Sequence, residues 1–449
     1  MLARCYPRLG DVQSSLRRRV PAALSPGRSA VSDDPLERLR ERIAGAARLP
    51  TSALGRAGRT AGAALKVGLG RLTGKSDVEV FADLAVQLGR LKGTAMKAGQ
   101  ILSYLDTDLP EEAKRLLAVL QVSSQPTPFE EIAKVTPPEL LATMEHQPVA
   151  TASIGQVHRA LLPDGTPVAV KVSHPGIEQA IAADFRSAAA GAAMPGLLLP
   201  GVAEVIAEAR DTFLAECDYE AERRWQERFG ALYAGHPSIT VPAVHGGWCS
   251  GRVLVTTWCD GLSFERFCAS ASQTARDRAG AALYEFYVGS VYRFGLFNGD
   301  PHPGNLLFRD DGSLIVLDFG CVKELEPEMV RALAALSRAV RADDPQAIRR
   351  ALGQLGAAEP DGKGYAVTRQ VLRGFFGPVV IEGFHLVESG LSLDMRQIMT
   401  DKLAVARMRL PAKLLFLFRI RFGLHSELAR LKAVADWAAL EQRLCGESP

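Results

Sequence analysis

The sequence predicts an α+β chain, with a β-rich stretch over residues 146–262 followed by a mainly helical one over 263–449. Three observations carry this. A hairpin pattern surrounds Pro163-Asp164-Gly165-Thr166, further β-branched runs occur at Thr240-Val241 and Val253 to Thr257, and helical periodicity dominates from Pro327 onward. The 449 residues hold enough apolar content, 47%, to bury more than one core.

Residues 1–76 form a basic arm. Through residue 75 there are 15 Lys/Arg against 5 Asp/Glu, so the remainder of this +3 chain carries −7. Such an arm is either a solvated extension or a surface for anionic lipid. Asp33 to Ala47 has the pattern of one short charged helix, and Ser52 to Gly70 is weakly helical. No apolar core of a secretory signal follows Arg17 to Arg19, although an organellar presequence is compatible with this composition. The longest uncharged run, Ala188 to Ala203, is short for a membrane span and contains Pro195 and Pro200. The expected location is cytoplasmic, with peripheral membrane contact through the arm, no transmembrane segment and no nucleic-acid partner. Seven cysteines without a C-x-x-C pair favour a reducing compartment over a disulfide scaffold or a zinc site.

From Val78 to Leu105, apolar residues recur at steps of three and four, which predicts an amphipathic helix. Its neighbouring stripe carries Lys97, Gly99 and Gln100, and a second helix is expected over Pro110 to Gln121. Together these make a helical extension over 77–145, punctuated by Pro126, Pro128, Pro137 and Pro138.

The hairpin has a first strand from Val157 to Leu162 and a second from Pro167 to Val172, joined by a turn whose Gly suits a positive φ. Just before it, Ala150-Thr151-Ala152-Ser153-Ile154-Gly155-Gln156-Val157 places small residues where a G-x-G-x-x-G-x-V loop has glycines. Small residues allow the backbone to approach phosphates closely, but alanines at the first two positions stiffen the loop. Ala150, Ala152, Ser153, Gly155 and Val157 are therefore candidate nucleotide contacts. Lys171, in Val168-Ala169-Val170-Lys171, is expensive to bury unless paired, and both phosphate oxygens and a helix carboxylate could pair it. A long helix is expected from Ala203 to Phe229, with Asp218 and Glu222 one turn apart on a shared face.

The strongest signal lies beyond the apolar helix expected over Tyr284 to Phe297. Asp300-Pro301-His302-Pro303-Gly304-Asn305 is followed, thirteen residues after Asn305, by Asp318-Phe319-Gly320, with a short hairpin between them. Asp300 can accept a proton from an attacking hydroxyl. Asn305 and Asp318 supply the oxygen ligands that Mg²⁺ takes alongside nucleotide phosphates. His302 either contacts a phosphate or shapes the loop.

Lys171, Asp300, Asn305 and Asp318 in this order resemble the protein kinase-like superfamily. The chain most resembles the UbiB, or aarF-domain, family of atypical kinases linked to coenzyme Q and other prenyl-lipid pathways. Lys97-Ala98-Gly99-Gln100 matches its K-x-G-Q signature, Pro148 to His158 its alanine-rich loop, and Glu216-Cys217-Asp218-Tyr219 its E-x-D motif. The resemblance covers roughly residues 78 to 435. It implies a bilobal kinase-like fold with an N-lobe over 146–262 and a C-lobe over 263–449. It also implies ATP or ADP with Mg²⁺ as cofactors, a prenyl-quinone lipid as candidate partner, and Glu222 as the carboxylate that pairs Lys171. In that family the K-x-G-Q helix occludes the protein-substrate site, which gives Lys97, Gly99, Gln100, Glu216 and Asp218 a regulatory role. No Ala-Pro-Glu motif follows Gly320, consistent with a missing peptide-docking platform. The chain departs from the family at Thr151, at Phe297-Asn298-Gly299 and in the linker Thr256 to Asp260. Two rival readings are a small-molecule phosphotransferase of the aminoglycoside or choline kinase type, which lacks a K-x-G-Q helix, and a nucleotide-gated lipid-binding scaffold.

Overall fold

The computed structural model describes residues 126–151, 154–179, 181–182, 214, 217–357, 362–387 and 412–446. The helices expected within 1–125, together with Lys97, Gly99, Gln100, Ala152, Ser153 and Glu216, lie outside the described residues.

In chain order the elements begin with α1 (Phe129–Ala133), α2 (Pro138–Leu141), β1 (Ala150–Thr151), β2 (Gly155–Leu161) and β3 (Pro167–Ser173). Next come α3 (Tyr219–Leu232), β4 (Ile239–Thr240), β5 (Val253–Thr257), α4 (Phe264–Ser270), α5 (Gln273–Tyr284) and α6 (Ser290–Phe294). They are followed by β6 (Leu296–Asn298), β7 (Leu306–Phe308), β8 (Leu314–Val316), β9 (Val322–Glu324), α7 (Pro327–Arg341), α8 (Pro345–Gln354) and α9 (Gly362–Phe376). The last are β10 (His385–Leu386), α10 (Ala412–Leu431), β11 (Val434–Ala435) and α11 (Trp437–Gly446). The chain divides into two compact units, with His245–Thr257 joined to the residues up to Glu220, and Ala221–Val244 joined to the residues from Trp258 onward.

The first unit is built on an antiparallel sheet in the order β1-β2-β3-β5. Strand periodicity of two sorts its side chains onto two faces. Val168, Val170 and Val172 are fully buried and pack with Ala160, Val253, Val255 and with Ile132 and Leu140 of the two short helices. Lys171 points to the other face, opposite Val157 and Leu254. The β2–β3 turn is the expected one: Gly165 sits at φ +84°, and Asp164 Oδ1 accepts from Thr166 N at 2.9 Å.

Gln156 and His158 are buried polar residues with their hydrogen bonds made. Gln156 Oε1 accepts from Thr127 N at 2.7 Å, and its amide nitrogen donates to His158 Nε2 at 2.8 Å. His158 must then carry its proton on Nδ1, which donates to Glu145 O at 2.7 Å. Burial pushes the His158 pKa down, in keeping with this neutral tautomer. The chain of bonds ties the segment before the sheet to the strand that leaves the alanine-rich loop.

The second unit is helical around small strands. β4 pairs in parallel with β8, β8 pairs antiparallel with β7, and β6 pairs antiparallel with β9. Its core includes Phe229, Tyr284, Phe286, Phe308, Phe319, Leu428 and Trp437. Gly280 on α5 packs so closely that a Cβ there would stand 2.4 Å from Ala433 Cβ.

Two expected helices are corrected. The helix placed over Tyr284 to Phe297 ends at Phe294, after a π-helical turn at Glu285–Gly289. Gly295 then stops it in the left-handed conformation at φ 64°, a common C-terminal signal, and Leu296–Asn298 become a strand. The apolar run continues through Leu296-Phe297, which is why periodicity carried the helix too far. The continuous helix placed over Ala203 to Phe229 is also interrupted. Cys217 is in a turn, Asp218 is in neither helix nor strand, and α3 starts at Tyr219. Asp218 and Glu222 therefore do not share a helix face: Asp218 is exposed outside the helix, whereas Glu222 is only 1% exposed within it.

Candidate functional site

The Asp300 loop is held from three sides. Upstream, β6 pairs with β9 and Gly299 N donates to Cys321 O at 2.6 Å. Within the loop, His302 Nδ1 accepts from Gly304 N at 3.0 Å and shapes the turn at Pro303–Asn305. Behind it, Pro301 is buried, and a Cβ on Gly423 of α10 would come within 2.9 Å of its Cγ. The glycine is what lets α10 approach this closely.

Asn305 Nδ2 donates to Asp300 Oδ2 at 3.1 Å. This orients the half-buried Asp300 carboxylate. It also commits the amide nitrogen, leaving Asn305 Oδ1 as the ligand end of the side chain. The main chain of Asn305 accepts from Leu317 N at 2.9 Å, which ties the loop to the residue before Asp318. Asp318 closes a small turn through Gly320 N, which donates to its Oδ1 at 2.9 Å. Phe319 is fully buried, with its ring centroid 5.2 Å from that of Phe229.

One residue singled out only as a departure from the family pattern, Asn298, proves central to this geometry. It is 3% exposed. Its Oδ1 accepts from Asp300 N at 3.1 Å, and its Nδ2 donates to Asp318 O at 2.8 Å. A single amide therefore braces the backbones of both aspartates. Only a side chain with a donor and an acceptor at that reach can do so, and the signal was a polar residue between Phe297 and Gly299 in an otherwise apolar strand.

In the first unit the structure gathers a second group. Ala150 lies opposite Val157, and Val157 lies opposite Lys171, so the three form a row across β1, β2 and β3. Gly155 is buried where β2 begins, and a Cβ there would meet Val172 O and Tyr219 Oη, each at 2.5 Å. Lys171 is partly buried, with Nζ 5.2 Å from the centroid of the Tyr219 ring. The motif around Tyr219 draws attention to its carboxylates, which is why sequence reasoning misses the tyrosine.

Asn305 Oδ1 and the Asp318 carboxylate are the kind of oxygen donors that a hard divalent cation takes while keeping its other positions for phosphate and water. Among the described residues no three His, Cys, Asp or Glu side chains converge as a metal cluster. A cation here would therefore take the rest of its shell from a bound phosphate ligand.

The ABC1 atypical kinase-like domain family model matches residues 121–352, just over half of the chain. The chain is 31% identical over 351 residues to the mitochondrial atypical kinase COQ8B of Rattus norvegicus, covering 72% of this chain and 65% of that protein. It is 30% identical over 255 residues to the mitochondrial atypical kinase COQ8 of Saccharomyces cerevisiae, covering 54% and 51% respectively. A solved structure, that of a Mycobacterium tuberculosis protein in complex with erythromycin, superposes with a TM-score of 0.58 at 28% identity. It covers 81% of this chain and 95% of the other. The chain spans about half the length of the curated relatives it matches.

Proposed function

The chain belongs to the ABC1 atypical kinase-like family, and from that membership we propose that it is a Mg²⁺-dependent, ATP-binding atypical kinase or ATPase that supports ubiquinone or other prenyl-lipid biosynthesis. The observation that carries this reading is the Asp300–Asn305 hydrogen bond with Asn298 bracing Asp300 to Asp318. Phosphoryl transfer asks for little covalent chemistry from the protein. It asks for a positioned base and for charge held near the phosphates.

In this reading Asp300 takes the proton from an attacking hydroxyl or orients an attacking water, and Asn305 Nδ2 keeps its carboxylate in place. Asn305 Oδ1 and Asp318 would hold Mg²⁺, which when bound offsets phosphate charge and aligns the phosphoryl group. Lys171 would hold the α- and β-phosphates, with Glu222 as its paired carboxylate. The loop residues Ala150, Ala152, Ser153, Gly155 and Val157 would line the phosphate path. Residues 146–262 and 263–449 would serve as the N- and C-lobes. Residues 77–145, with Lys97, Gly99 and Gln100, would serve as the extension that denies a protein substrate access, together with Glu216 and Asp218. The acceptor would then be a small molecule or water, and a prenyl-quinone-like lipid is the partner class the family link supports. The basic arm over 1–76 would contact anionic membrane; among the described residues no helix is long and apolar enough to cross one.

A nucleotide panel with and without Mg²⁺, read by thermal shift and phosphate release in the presence and absence of quinone-like lipids, tests the reading. Mg²⁺-dependent stabilisation by an adenine nucleotide, with phosphate release that the lipid alters, is expected. No nucleotide effect under any condition would overturn it.

A further inference from the structure

In the motif Glu216-Cys217-Asp218-Tyr219, the tyrosine touches the proposed phosphate site. Tyr219 opens α3 and is 1% exposed. Its ring lies under the Lys171 ammonium, 5.2 Å from Nζ to the centroid, within the range of a cation–π contact. Its hydroxyl end reaches the Gly155 backbone, filling the space where a Cβ on that residue would be, 2.5 Å from Oη. Gly155 and Lys171 sit on adjacent paired strands, Gly155 facing Ser173 and Val157 facing Lys171. One rigid side chain with two χ angles thus touches both the last residue of the small-residue loop and the strand lysine.

We infer that Tyr219 is a positioning residue of the nucleotide site: its ring seats the Lys171 ammonium beside the start of β2, where Gly155 leaves room for it. This rests on the proposed nucleotide-binding role of both residues. The physical advantage over a carboxylate is specific. A ring face attracts an ammonium without neutralising it and without taking an N–H donor, so it seats Lys171 without competing with the proposed Glu222 carboxylate or the phosphates. A further carboxylate in the place of the ring, beside the proposed Glu222, would take another donor and overcompensate the charge that the phosphates need.

The test separates this role from ordinary packing. Tyr219→Phe keeps the ring, and Tyr219→Leu removes it. Pentafluorophenylalanine at 219 keeps the ring's shape in its buried site while abolishing the negative face, so it guards against a leucine variant that fails to fold. Affinities for Mg²⁺-ATP and for adenosine, which has no phosphates, are measured on the full chain. The phenylalanine variant is expected to bind ATP close to wild type, whereas the leucine and pentafluoro variants lose on the order of tenfold, the size of one partly desolvated cation–π contact. Adenosine affinity is expected to stay level across the series. Equal ATP affinity for the phenylalanine and pentafluorophenylalanine proteins, or a parallel loss for adenosine, would overturn the inference while leaving the nucleotide reading intact. Failure of the wild-type chain to bind ATP would remove both.

Discussion

The side-chain amide of Asn298 donates to the main-chain carbonyl of Asp318 at 2.8 Å, twenty residues away in sequence. Through its other end the same amide accepts from Asp300 N, so the loop bearing the proposed base and the turn bearing the proposed metal ligand move together. Replacing Asn298 with Leu removes its bonds to the Asp318 carbonyl and the Asp300 N–H in a partly buried place. The expected cost is about 1–3 kcal/mol of stability, with a larger proportional loss of Mg²⁺-nucleotide turnover. Denaturant unfolding and phosphate release on the same preparation measure the two effects.

Gly155 has no room for a side chain. Its Cβ would collide with Val172 O, which is backbone and cannot swing away, and with Tyr219 Oη. Gly155→Ala is therefore expected to lose about 1–3 kcal/mol, the usual penalty of overpacking, seen as a lower melting temperature. Gly165→Ala, at a turn with open space but φ +84°, tests strain without collision.

Arg421 and Glu441 form an ion pair at 2.8 Å in the helical unit, with side-chain exposures of 7% and 0%. Tyr284 and Ser337 donate to the same carboxylate, and Tyr292 donates to it at 3.0 Å. The guanidinium and these donors hold the Glu441 pKa below its ordinary value despite full burial. Arg421→Met alone strands a buried carboxylate and is expected to cost about 3–5 kcal/mol, whereas the double change Arg421→Met with Glu441→Leu costs much less. Chemical denaturation of the two single variants and the double variant checks this.

Two buried groups give stability opposite pH slopes. Burial and the Arg421 charge lower the His425 pKa to about 3 from 6.5. The unfolded chain therefore takes up a proton first, and stability from this group is lost as pH falls from 6.5 towards 3. Burial raises the Glu427 pKa to about 7 from 4.5, outweighing its bonds to Arg430. Here the unfolded chain ionises first, so stability present below 4.5 is lost as pH rises to about 7. Glu427→Gln is expected to abolish the second slope, on the order of 3 kcal/mol over that window. Unfolding free energies of both proteins at pH 4.5, 6 and 7.5 test it.

The hairpin and its turn were legible because Pro163-Asp164-Gly165-Thr166 encodes a turn locally and the flanking residues alternate with the strand period. Asp300, Asn305 and Asp318 were legible because their spacing is set along the chain. The brace by Asn298 was not, because one of its partners, Asp318 O, lies twenty residues away and no local pattern announces the approach. The break before α3 was readable in retrospect: Asp218 stands where helices favour a capping residue, but the i+4 run from Phe213 to Phe229 masked it. Tyr219 was not legible because the motif around it draws attention to its charges, and its contact with Lys171 joins residues far apart in sequence.

The central claim is that Asp318 holds a nucleotide-bound Mg²⁺. Thermal stabilisation by ATP with and without Mg²⁺, compared between the wild-type chain and Asp318→Asn, tests it most directly. The substitution keeps the size of the side chain and an oxygen to accept from Gly320 N, so the turn is expected to survive. The account predicts a Mg²⁺-dependent rise in melting temperature for the wild type that nearly vanishes in the variant. Undiminished Mg²⁺-dependent stabilisation of the variant would contradict it.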